Sequence, residues 1–304
     1  MKKREFPFSI YFYRFAAKYS YALLLHKRLH LKKYSNILSF MEKDCSSVLD
    51  KYREENVVLS APIPKQLWVL WWQGKDNLPP IVKECVKRMA SLENYSLTIL
   101  DKENISSYID LSDVLPLLES GELKIQFMSD IIRMRILRKH GGFWIDSTML
   151  IMDESFLDSI VEKYSFYSIR LKDFEEWWNV SAARWSAYFW ATCKDNPFFS
   201  YMDDAFTYFA LKHKTIIDYF QIDFTVRLGY ENIPWIRNLI DSLPYYENDM
   251  FYLDKVSCKV LTEKKRALID SAPMYKLNWR RKLKTLEGKT TCYEYAIKRL
   301  GLFD

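Results

Sequence analysis

The chain alternates short, densely apolar runs with longer stretches whose apolar positions recur at helical spacing. QLWVLWWQG (66–74) is a run of bulky residues ending at a glycine and reads as a strand. A Pro-Pro pair follows, and IVKECVKRMASL (81–92) carries apolar residues on one helical face, which predicts a helix opened by the prolines. SLTILD (96–101) reads as a second strand ending in an acid, and residues 105–123 as short helices and turns. Residues 123–140 predict a strong helix stopped by Gly141-Gly142, and FWIDSTML (143–150) a third strand. Strand, helix, strand, helix, strand in that order predicts a parallel α/β layer with a binding crevice at the carboxyl ends of its strands.

Beyond Asp153 the alternation is less regular. FYSIRL (166–171) reads as a strand; residues 196–214, 215–229 and 232–243 read as helices, and a basic tail follows Leu277. The first 58 residues differ from all of this. They interleave aromatic and basic residues, and SAPIPK (60–65) reads as a linker into the main domain, giving an arm at 1–58 and a domain at 59–304. Nine Lys/Arg and one acid give residues 1–33 a charge of +8, which leaves about −2 for the rest of a chain whose total is +6. The main body therefore shows no electrostatic signature of a nucleic-acid binder, and the cationic signal belongs to one segment. An aromatic, cationic helix there either lies on an anionic membrane or packs on the domain with its lysines in water. Five scattered cysteines without CxxC spacing fit a reducing compartment, and no apolar run approaches the ~20 residues of a spanning helix. These features suit a cytoplasmic protein, peripheral on the inner face of the cell membrane, with no cleavable signal peptide.

HGGFWIDSTM (140–149) concentrates the chemistry. Only seven glycines occur in 304 residues, and two adjoin here, so a tight turn into the strand is predicted. The apolar run Phe143-Trp144-Ile145 then delivers Asp146 to the crevice, with Ser147 and Thr148 adding hydroxyl oxygens. Hard oxygen donors at that place suit Mg2+ or Mn2+ beside a diphosphate. On the preceding helix Asp130 and Arg133 are three apart and share a face. They form either a surface ion pair or, over a pocket, an acceptor and a fork of donors for sugar hydroxyls.

SDIIRMRILRKHGGFWIDST (129–148) resembles the SD-x-x-R…L…GG-x-[YW]-x-D segment of DXD-type glycosyltransferases of the GT-A fold. The likeness is to the capsular polysaccharide synthesis proteins, related to Och1-like mannosyltransferases and glycosylating toxins. IPKQLWVLWWQG (63–74) resembles their opening IPK-x-I-H-x-[IL]-W-x-G strand, and residues 62–152 carry the likeness, with TIIDYFQIDF and PMYKLNWRRKL matching more loosely. The resemblance implies a Rossmann-type mixed sheet flanked by helices, with helical additions at both ends. It implies that Trp71 stacks on a nucleotide base and that Ser129 lies near the ribose. Asp130 and Arg133 would hold donor-sugar hydroxyls, and Asp146 would contact ribose and metal; these last three form the catalytic set. Trp72, Gly74 and Trp144 join the implied substrate-binding residues. Two positions depart from the pattern: Thr148 stands where the second DXD acid belongs, so the metal pair would be Asp146 and Thr148, and Trp68 stands where relatives have His.

Farther along, Lys276 and Asn278 either reach the diphosphate or sit in a solvated tail. Asp218 and Asp223 are candidates for positioning an acceptor or stabilising a cationic sugar ring, Asp203-Asp204 reads as an exposed helix pair, and Trp177, Trp178, Trp185 and Trp190 are candidates for a saccharide platform. The expected activity is transfer of a hexose from a nucleotide diphosphate sugar, UDP being the expected nucleotide, to a surface or capsular glycan, lipid-linked acceptors included, with retention of configuration. Two other classes are open: a non-catalytic nucleotide-sugar or glycan binder of the same fold, suggested by Thr148, and a hydrolase or phosphotransferase using Asp146 as nucleophile.

Overall fold

The computed structural model describes residues 5–19, 25–54, 57–172, 179–284 and 287–302. Three helices lead: α1 (Phe8–Tyr19), α2 (His26–Asp44) and α3 (Ser46–Arg53). The central layer comes next: β1 (Gln66–Leu70), α4 (Pro80–Ala90), β2 (Ser96–Leu100), α5 (Leu115–Glu119), α6 (Ile125–His140) and β3 (Gly142–Ile145). After it come β4 (Met149–Ile151), α7 (Ser155–Lys163), β5 (Phe166–Ser168), β6 (Arg170–Leu171) and β7 (Phe189–Thr192). The last part holds α8 (Pro197–His213), α9 (Gln221–Asn232), α10 (Pro234–Asp241), β8 (Tyr245–Tyr246), α11 (Tyr252–Val256), α12 (Glu263–Ser271), β9 (Met274–Lys276) and α13 (Cys292–Arg299).

The main sheet has the order β2-β1-β3-β7-β5. β1 is parallel to both β2 and β3, whereas β7 runs antiparallel to β3 and to β5. The expected α/β layer is thus present, as a mixed sheet flanked by helices. From β1 the chain goes to one side through α4 and β2, then returns through α6 to β3 on the other side. Strand order reverses between β1 and β3, and the crevice at their carboxyl ends is where an open α/β sheet binds ligands.

Local sequence explains the elements around that crevice. α4 opens on Pro80 and buries Ile81, Val82, Cys85, Val86 and Met89 along one face. α6 is buried nearly all round, wedged between the sheet and α8, and ends at Gly141 with φ 63°. Gly142 follows at φ 90°. A Cβ on Gly141 would lie 2.7 Å from the Lys194 nitrogen, and one on Gly142 2.5 Å from the Gln66 carbonyl oxygen. Backbone curvature and close packing therefore both demand glycine at this corner. Trp68, the departure from His, closes it by donating its indole N–H to the Gly141 carbonyl at 2.9 Å.

Several expectations are corrected. Residues 143–150 are not one strand: the chain turns at Asp146-Ser147-Thr148, where the Met149 N–H donates to the Asp146 carbonyl, and β4 leaves the main sheet to pair with β9. FYSIRL divides into β5 and β6, which belong to different sheets. The helix expected at 215–229 begins only at Gln221, because the Phe220 N–H is taken by the Asp218 carboxylate and the Ile217 N–H by the Gln221 side chain. Asp203 is not exposed; it is buried against Arg135 and Arg138, while Asp204 meets Lys51 and the Tyr52 hydroxyl. The amino-terminal helices α2 and α3 pack on the domain that follows them. Tyr34, Ile37, Met41, Leu49 and Tyr52 are buried in the same core as the sheet, with α2 against α9 and α3 against α8.

Candidate active site

Three remote positions meet at the crevice. Trp71 directly follows β1, Asp146 directly follows β3, and Asp130 and Arg133 project from α6; all four line one cavity of about 590 Å3. Ser129, Trp144, Thr148 and Lys276 line it too. Leu70, Trp71, Gln126, Ser129, Tyr219 and Trp279 also line a wider cleft of about 1800 Å3, so the small cavity opens into the large one. Trp72 lines only the wide cleft, and Gly74 and Asn278 line neither. The Asn278 side chain instead caps its own turn, accepting from the Arg280 N–H. Trp177 and Trp178 lie outside the described residues. Trp185 lines the cavity, whereas Trp190 is wholly buried beneath it.

Arg133 is held by its surroundings. Trp144 on β3 and Trp190 on β7 are directly opposed in the ladder and so share a face. The Arg133 guanidinium lies over both rings, 5.0 Å and 5.8 Å from their centroids. From there it reaches the Asp130 carboxylate at 3.2 Å and the Asp146 carboxylate at 3.4 Å. Burial works against the charge of Asp146, but the Lys276 ammonium and the Arg133 guanidinium outweigh it and hold the carboxyl below its usual range. Asp130 goes the other way. Its burial dominates, Arg133 offsets it only in part, and the carboxyl is pushed up to about 7.

Across the cavity Asp223, near the start of α9, accepts the Trp185 indole N–H at 2.9 Å. Burial raises this carboxyl to about 6 against the pull of that hydrogen bond and of Arg133. The cavity thus holds one firmly ionised carboxylate and two that titrate near neutrality. Asp218, its companion candidate, faces away and pairs with Lys33 at 3.3 Å and Arg14 at 3.6 Å.

The residues present do not fit the divalent cation that the resemblance implies. Both Asp146 oxygens already face cations, with Lys276 Nζ 2.7 Å from Oδ2. Thr148 Oγ1 accepts from the same Nζ at 2.7 Å. One neutralised carboxylate and one engaged hydroxyl are a poor donor set for a hard cation wanting six oxygens. Among the described residues no group of three His, Cys, Asp or Glu converges to hold a metal.

Trp279 and Tyr188 are among the lining residues that the sequence reading missed. Trp279 stands edge-on to Trp71, 6.1 Å between centroids and 87° between planes. Its position three residues after Lys276, in a segment already singled out, was the available signal. Tyr188, whose carbonyl accepts the Asp146 N–H at 2.9 Å, sits in a loop with no pattern to mark it.

Residues 18–296 match the family described as capsular polysaccharide synthesis protein. The chain belongs to that family. It is the family expected from the S-D-x-x-R and G-G motifs, and the expectation of a glycosyltransferase stands with it. Among solved structures, the PaToxG glycosyltransferase is similar to this capsular synthesis protein at 14% identity and a TM-score of 0.41, over 69% of this chain and 82% of that one. No curated protein matches significantly.

Proposed function

We propose that this capsular synthesis protein moves a hexose from a nucleoside diphosphate sugar, with uridine as the nucleoside, to a saccharide acceptor. The observation that carries the reading is the convergence of Trp71, Arg133 and Asp146 on one cavity at the β1/β3 switch point. Trp71 and Trp279 offer a perpendicular pair of indoles at the mouth, a shape that takes one planar base against one ring and its edge against the other. Asp130 and the Arg133 fork, fixed on two buried indoles, supply an acceptor and donors for the hexose hydroxyls. Asp223 and Trp185 bound the opposite wall, where an acceptor hydroxyl would approach. The wide cleft, with Tyr11, Trp72 and Tyr219 on its walls, has room and aromatic faces for a growing glycan. Retention of configuration is part of the proposal, carried by the resemblance.

The experiment is donor hydrolysis and transfer by the purified full chain across a panel of UDP- and GDP-sugars, with the product anomer read by NMR. Turnover of one donor, abolished in Asp146→Asn and Arg133→Ala, is expected. Binding of donors with no hydrolysis or transfer under any condition would leave a non-catalytic binder and sink the enzyme reading.

Docking of α1 on an anionic membrane is the second part of the proposal. Phe8, Phe12, Phe15 and Tyr19 form one exposed stripe on this helix, and exposed Lys18, Lys27, Arg28 and Lys32 lie near it in the chain. The same helix turns Tyr11 and Arg14 toward the wide cleft. A surface seated on the stripe would sit beside the cleft mouth, where a lipid-linked acceptor would enter. No helix among the described residues is long and apolar enough to cross a membrane.

A further inference from the structure

The two positions that the resemblance assigns to a metal are bridged here by an ammonium. Lys276 Nζ lies 2.7 Å from Asp146 Oδ2 and 2.7 Å from Thr148 Oγ1. Its placement is built into the backbone. Met149 and Lys276 are register partners in the β4–β9 ladder, the Leu277 N–H donates to the Thr148 carbonyl at 2.9 Å, and the Lys276 N–H donates to the Met250 carbonyl at 2.9 Å. An ammonium has three N–H donors; two are used and one is left for the cavity that Lys276 lines. The charges also agree. Two acids with a divalent cation sum to zero, and so do one carboxylate, one hydroxyl and one ammonium. Thr148 in place of an acid, with Lys276 beside it, thus keeps the formal charge that two acids and a divalent cation would give.

We propose that Lys276 is the resident cation of this site, and that nucleoside diphosphate binding and sugar transfer proceed without a divalent metal ion. The inference rests on the donor reading above. In the transfer the bond from the sugar's anomeric carbon to the β-phosphate oxygen breaks, and its electron pair stays on that oxygen, facing Lys276. The acceptor oxygen forms the new bond to the anomeric carbon, and its proton goes to the released diphosphate. A fixed ammonium in a partly buried site stabilises that developing charge without reorganising.

Calorimetric titration of UDP and of uridine into the full chain, with EDTA or with Mn2+, tests this together with donor turnover in both buffers. The wild-type chain is expected to bind UDP and turn over donor equally well in EDTA. Lys276→Met keeps the stem and the strand but removes the charge. It should weaken UDP about tenfold or more, the size of one lost charge-assisted hydrogen bond, while uridine affinity is unchanged and reports an intact fold. The double variant Lys276→Met/Thr148→Asp should recover UDP affinity only with Mn2+. Wild-type binding that collapses in EDTA, or a Lys276→Met chain that holds UDP as tightly as wild type, overturns the lysine assignment and leaves the donor reading standing. A chain that binds no nucleoside diphosphate in either buffer overturns the donor reading, and the lysine assignment falls with it.

Discussion

At the scale of single residues, packing fixes Arg133 at the centre of the candidate site. Its guanidinium rests on Trp144 and Trp190 and spans the gap between Asp130 and Asp146. A lysine keeps the charge but loses the planar fork, so it cannot address both carboxylates while stacked. Arg133→Lys is expected to lower kcat/KM for the donor by about a hundredfold, the usual scale for losing a transition-state donor, as measured by initial rates. Arg133→Ala should also lower stability by roughly 3 kcal/mol, because it empties a buried site packed on Trp144 and Trp190. Asp130 and Asp223 add a pH dependence whose sign is fixed by their raised values of about 7 and about 6. A carboxyl raised above its unfolded value keeps its proton in the folded chain, so the stability it confers is full in acid and is lost as pH rises through the folded value. The charge of Asp223 adds to the rise of Asp130, behind its burial. The melting-temperature difference between Asp130→Asn and wild type should therefore move in favour of the variant between about pH 4 and about pH 7; a difference that stays flat across that range would show an unshifted Asp130.

At the scale of elements, the corner between α6 and β3 makes the sharpest structural prediction. Gly142→Ala puts a Cβ into the Gln66 carbonyl, and Gly141→Ala puts one into the backbone of Lys194; neither obstacle is a flexible side chain. Each is expected to cost about 3 kcal/mol or more, from backbone strain and overlap together, read as a fall in soluble yield and melting temperature. Gly121→Ala is the control: its φ is 74°, but nothing lies within 4 Å, so only the conformational cost of about 1 kcal/mol remains. This corner was legible in the sequence because adjacent glycines after a helical pattern leave few alternatives, and β1, α4, β2 and α6 were legible through their periodicity. β4 and β9 were not. They are three residues each, and they form only by pairing Met149–Ile151 with Met274–Lys276 across more than a hundred residues of chain, a contact that no local pattern announces. The site divides the same way. Asp130, Arg133 and Asp146 are close in sequence and were readable as a group, whereas the partnership of Lys276 with Asp146 and Thr148 exists only through that distant ladder. β7 was missed because FWAT (189–192) is too short to be told from a loop, yet it supplies Trp190 beneath Arg133.

At the scale of the whole molecule, the core role of α2 and α3 is separable from the membrane contact proposed for α1. α2 and α3 are core: Ile37, Met41, Cys45 and Leu49 are at most 1% exposed and belong to the same apolar cluster as Phe209 and Phe224. Removing residues 1–54 would strip those partners away and expose α8 and α9, so that truncation is expected to yield aggregated protein and to say nothing about membranes. α1 is different, because Phe8, Phe12 and Phe15 are each about half exposed or more and can be changed without opening the core. The triple variant Phe8→Ser/Phe12→Ser/Phe15→Ser should keep the wild-type melting temperature to within about 1 kcal/mol of stability, as surface substitutions do. On vesicles containing an anionic lipid it should lose sedimentation, and wild-type sedimentation should weaken with added salt, because apolar insertion and screened charge attraction act together. The proposed link between α1 and transfer runs through Asp218. It pairs with Arg14 of α1 and Lys33 of α2, and the next residues, Tyr219 and Phe220, line the cavity. Hence the triple variant should retain transfer to a short water-soluble acceptor and lose it selectively for an acceptor presented in vesicles. Equal activity on both acceptors, with vesicle binding intact, would move the membrane contact away from α1.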